Sequence, residues 1–140
     1  MPAREQLAGK RETAFMYIRF IVLARRSRRP FGLFQSDRWC LEDPELPHWL
    51  RDQIEAHDTW FKKHLRIPRA GGGSRIDVCA LCWFRPEAHE HIARARELAW
   101  LLSEAGNPTA MIKSRRPGQI VYCDEFQIVA RPYADTRLRA

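Results

Sequence analysis

At 140 residues, 45% of them hydrophobic, the chain has the length and apolar content of one domain with its own core. Its longest apolar run, FIVLA at 20–24, stops at Arg25 and Arg26, far short of the roughly 18 residues of a membrane span. The opening MPAREQLAGKRETA has no secretory-signal stretch, so a soluble, cytoplasmic protein without a membrane partner is expected. The net charge of +7 is made with 20 arginines and 4 lysines, a bias that a GC-rich genome also favours. It is segregated, at +6 over residues 1–40, −3 over 41–65 and +4 over 66–140.

Residues 1–14 are charged and carry no sustained apolar period, which predicts a flexible arm. FMYIRFIVLA (15–24) alternates aromatic and β-branched residues and predicts the first strand. RRSRRP (25–30) breaks it, and FGLFQS (31–36) is expected to return as a second strand of a hairpin with a basic tip. DPELPHWLRDQIEAHDTWFKKHL (43–65) repeats apolar residues three and four apart, the pattern of an amphipathic helix. Its start is expected at Asp43 with Pro44, or near Pro47, and Lys62, Lys63 and His64 suit its negative end. RIPRAGGGSR (66–75) predicts a loop and IDVCALCWF (76–84) a buried strand.

PEAHEHIARARELAWLLSEAG (86–106) predicts the second helix, closed by Gly106, Asn107 and Pro108. TAMIKS (109–114) predicts a strand, RRPG (115–118) a turn, and QIVYCD (119–124) with FQIVARP (126–132) one bent strand or a tight hairpin. The tail, 133–140, is expected to be flexible. The order implies a single α+β domain over 15–132. Its expected architecture is a two-layer sandwich with a mixed or mainly antiparallel sheet of about five strands and two helices on one face.

Four cysteines at 40, 79, 82 and 123 form no disulfide framework and are expected as reduced thiols, Cys79 and Cys82 as buried small hydrophobes. In CALCWFRPEAHEH (79–91), Cys79 and Cys82 would face opposite sides of a strand. His89 and His91 would diverge by roughly 200° on a helix, so no metal site and no cofactor is expected. His57 and His64 share a helix face and read as boundary residues. Trp49, Trp60, Trp83 and Trp100 fall on the helix stripes and the central strand and most of them read as core, with Trp39 the most exposed. Asp124 and Glu125 read as a turn, or as the acids of a metal-dependent hydrolase or nuclease. AGGGSR lacks the Walker lysine, and no nucleophile motif appears.

Two arginine-rich clusters remain. Arg25, Arg26, Arg28 and Arg29 follow the first strand, and Lys113, Arg115 and Arg116 follow the strand after the second helix. If those strands run parallel, both clusters reach one rim, with Phe31 and Phe34 available to stack on bases. The expectation is a non-catalytic binding or regulatory protein for nucleic acid or an acidic partner. The alternatives are an adaptor, inhibitor or homo-oligomer acting through apolar surface or a sheet edge, and the hydrolase named above.

Overall fold

The computed structural model describes residues 16–23, 30–68 and 80–139. Among them it has three helices and a curled antiparallel sheet of five to six strands, an α+β fold. Contacts group into two units. Unit 1 comprises Met1–Arg19, Pro68–His89 and Lys113–Arg137; unit 2 comprises Phe20–Ile67, Glu90–Ile112 and Leu138–Ala140. The predicted N-terminal arm lies outside the described residues.

Unit 1 is built on three antiparallel strands, β3 (Leu81–Phe84), β5 (Gln119–Cys123) and β6 (Gln127–Arg131). β6 runs between the other two, with Ile128 opposite both Trp83 and Cys123. A strand paired on both edges and covered on both faces loses all contact with water, which QIVAR satisfies by burying its first four residues. Ile18, at the start of β1 (Tyr17–Val22), pairs with Phe84. The segment 119–132 is therefore a hairpin and not one bent strand. It is entered through Gly118, whose φ of 131° a side chain rarely adopts and where an added Cβ would collide with the Arg131 carbonyl oxygen.

In unit 2 the second half of β1 pairs antiparallel with β2 (Phe31–Gly32), and β4 (Thr109–Ser114) also pairs with β1. The strand expected at 31–36 is only these two residues. The chain turns at once into α1 (Leu33–Glu42), a helix the sequence pattern did not reveal. Its buried positions are Leu33, Ser36, Asp37 and Cys40: they have helical spacing, but half of them are polar, so no apolar stripe marks the turn.

α2 (His48–His64) starts after Pro47, the second of the two predicted beginnings, and buries Leu50, Ile54, His57 and Phe61. Asp43 is not the N-cap of α2: it is the C-cap of α1, its amide donating to the Cys40 carbonyl, and its side chain accepts from the Glu45 amide in the intervening turn. Arg51 donates to the carbonyls of Leu41 and Asp43, so α2 satisfies groups left over at the end of α1. Phe34 packs edge-on against Phe61 between the same two helices. α3 (His89–Glu104) ends in a Schellman turn: Gly106 adopts φ 94°, its amide donates to Ser103 and that of Asn107 to Leu102.

Candidate functional site

The predicted clusters meet different fates. Arg25, Arg26, Arg28 and Arg29 lie outside the described residues. Lys113, Arg115 and Arg116 are exposed. The parallel arrangement that would have put both clusters on one rim does not hold. The Leu23 amide, just past β1, donates to the Pro108 carbonyl, just before β4, at 2.7 Å; since β4 pairs with β1 itself, the two strands must run antiparallel. Leu23 thus lies beside the start of β4, whereas Arg115 and Arg116 follow its end.

Within unit 1 the 115–118 turn gathers basic residues from further along the chain. The Thr136 hydroxyl donates to the Arg116 carbonyl at 3.0 Å and accepts from the Tyr133 amide at 2.9 Å. The Arg116 guanidinium lies over the Tyr133 ring, 4.9 Å from its centre, with Asp135 at 3.9 Å. Gln119 pairs with Arg131, and Arg137 follows Thr136 directly. Lys113, Arg115, Arg116, Arg131 and Arg137 are all exposed, and Asp135 pairs with Arg116. Sequence distance had hidden Arg131, Tyr133 and Arg137, because only the fold returns 131–137 to the turn.

Asp124 is part of the hairpin's architecture. One carboxylate oxygen accepts from the Phe126 and Gln127 amides, the other from the Tyr122 hydroxyl and the Gln127 side chain, all at 2.9–3.0 Å. Burial works against its charge, but these donors outweigh it and hold the carboxyl below the usual aspartate range. With its lone pairs so committed, Asp124 sits in a turn and has little capacity left for a metal. Among the described residues no three His, Cys, Asp or Glu side chains are grouped to hold an ion. Cys79 lies outside the described residues. Cys40 is buried, whereas Cys82, expected to be buried, is exposed, as is Cys123.

The histidines of unit 2 have structural roles. His91 is buried and its Nε2 lies 2.9 Å from the His64 carbonyl, while His64 stacks on Trp60 at 4.3 Å, with Arg94 also against the Trp60 ring. His57 is buried with Nε2 3.2 Å from Glu97. Burial lowers its pKa, Glu97 opposing and Arg94 assisting. The tryptophans correct the sequence reading: only Trp83 is fully core, Trp60 is half-buried, and Trp49 and Trp100 are as exposed as Trp39. Other residues fill the buried face of each helix, which leaves these large rings at the margins.

Asp37 was missed altogether. It has no solvent exposure, and among the described residues neither of its oxygens meets a donor at hydrogen-bond geometry. Burial, then the charge of Asp58 and its carboxyl within hydrogen-bonding reach, push its pKa up to about 7, with the Arg38 amide and guanidinium opposing. Asp58 in turn is held by Lys62 at 2.8 Å. The same helix lines a cavity of about 140 Å³ with Ser36, Trp39 and Cys40, faced by Val22, Phe31 and Asn107.

The fold and these sites define an α+β protein with an exposed arginine-bearing turn and a buried acid pair. No family profile, curated protein or solved structure matches the chain. Among the described residues no helix is long and apolar enough to cross a membrane.

Proposed function

We propose that this chain is a non-catalytic binding protein that presents arginines to a polyanion, with nucleic acid as the partner. The observation that supports the reading is the joining of the 115–118 turn to residues 131–137. Five exposed cations lie along these joined segments, and the Arg116 guanidinium lies over the Tyr133 ring. A guanidinium fixed in orientation loses less freedom on meeting a phosphate than one on a mobile stem. Arg25, Arg26, Arg28 and Arg29 form a second cluster, which would add charge without having to share the same rim.

Fluorescence anisotropy with labelled single- and double-stranded DNA and RNA tests this. At about 50 mM salt binding is expected, weakening by 10-fold or more at about 200 mM as counterions are released. Replacing Arg115 and Arg116 together with alanine should lower the slope of log affinity against log salt by about 1.5 to 2. The four-arginine variant of 25–29 measures the other cluster separately. A chain that binds none of the four nucleic acids at low salt does not have this function.

A further inference from the structure

α1 lies on α2 through a contact that is incomplete without a proton. Asp37 is fully buried and its two oxygens meet no donor among the described residues, yet the group it faces is another acceptor, the carboxyl of Asp58. Two carboxylates cannot hydrogen-bond to each other. A carboxylic acid and a carboxylate can, and form one of the shorter and stronger hydrogen bonds available to side chains.

The surrounding charges leave the pair in need of that proton. On α2, Lys62 binds the more exposed member, Asp58, at its outer side. Arg51 is occupied by the Leu41 and Asp43 carbonyls. On α1 itself Arg38 is exposed and only partly offsets the burial of Asp37, and Cys40 is a buried thiol. β2, which also touches α1, offers Phe31 and Gly32 and no ionisable side chain.

We propose that the Asp37–Asp58 pair is a proton-operated latch: one shared proton fastens α1 to α2, and its loss releases α1. The consequence reaches the cavity, because Ser36, Trp39, Cys40 and neighbouring Asp43 supply one of its walls from α1 and the turn that follows. Release of α1 opens that wall and exposes Cys40. The latch is independent of the polyanion reading.

Hydrogen exchange followed by mass spectrometry on the full chain reads the latch directly. Exchange in peptides covering 33–42 is corrected for the intrinsic pH dependence of amide exchange and compared with peptides from 89–104. From about pH 5 to about pH 7 the relative protection of 33–42 should fall by 10-fold or more, since each pH unit over which only the released state ionises changes the equilibrium by up to about 10-fold. Asp37→Asn supplies a donor to Asp58 at every pH and should flatten the dependence. Asp58→Asn supplies a donor to Asp37 and should also reduce it, which keeps the test available if one variant fails to fold. Carbon-13 titration of the Asp37 carboxyl in the unmodified chain is the further measurement. Protection independent of pH in the folded protein, an unchanged slope in either variant, or an Asp37 carboxyl titrating near about 4 overturns the proposal.

Discussion

Asp124 in unit 1 and Asp37 in unit 2 are the same residue in opposite circumstances. Asp124 is half-buried and surrounded by four donors, and its pKa is lowered; Asp37 is wholly buried beside a second acid, and its pKa is raised to about 7. Burial opposes ionisation in both, so the number of donors decides the outcome. A satisfied carboxylate belongs to the architecture and fixes a hairpin. One facing another acceptor costs stability whenever it is charged, and that cost makes it responsive to conditions.

The largest expected effect comes from removing the satisfied member. Asp124→Ala removes the carboxylate that accepts from the Phe126 and Gln127 amides, the buried Gln127 side chain and the Tyr122 hydroxyl, a loss of about 3 kcal/mol at neutral pH by urea unfolding. An effect below about 0.5 kcal/mol would place the hairpin's stability elsewhere and dissolve the contrast. The sign with pH also follows. Because the folded pKa of Asp124 is below its unfolded value, its contribution is complete above about pH 4 and fades as pH falls through the lower folded value.

Asp37 should do the reverse. Its folded value lies above the unfolded one, so stability is greatest below about pH 4, declines as pH rises to about 7, and is level beyond. Asp37→Asn should therefore be close to neutral near about pH 4 and stabilising by roughly 2 kcal/mol at about pH 8. Chemical denaturation at the two pH values measures both. Destabilisation at the higher pH would mean that the Asp37 carboxylate is better satisfied than its geometry indicates.

The same contrast explains what could be read from the sequence. α2, α3, β4 and the 115–118 turn were legible because their punctuation and apolar spacing agree, as at Pro47, Gly106 and Gly118. α1 was not, because Ser36 and Asp37 occupy positions where an apolar stripe would continue, and FGLF alone reads as a strand. The helix the pattern missed is thus the one that carries the unsatisfied acid, since a polar residue on a buried face erases the periodicity that would announce the face. The basic turn was legible as a cluster, but its partners Arg131, Tyr133 and Arg137 were not, being joined to it only by long-range pairing.

The smallest expected effect sharpens the comparison most, because it separates the acid pair from its surroundings. Lys62 is exposed and one helical turn from Asp58, so their ion pair contributes about 0.5 kcal/mol or less to stability. Its charge nevertheless favours the doubly ionised state of the pair. Lys62→Met keeps the aliphatic stem and removes that charge, which should make the shared proton harder to lose. The midpoint of the pH-dependent loss of α1 protection is then expected to rise by about half a pH unit, with the unfolding midpoint in urea scarcely changed. A shift of the same size when Lys62→Met is made in the Asp37→Asn background, which has no such proton, would assign the effect to general surface charge. A downward shift in Lys62→Met would mean that the lysine holds the proton on the pair and not off it.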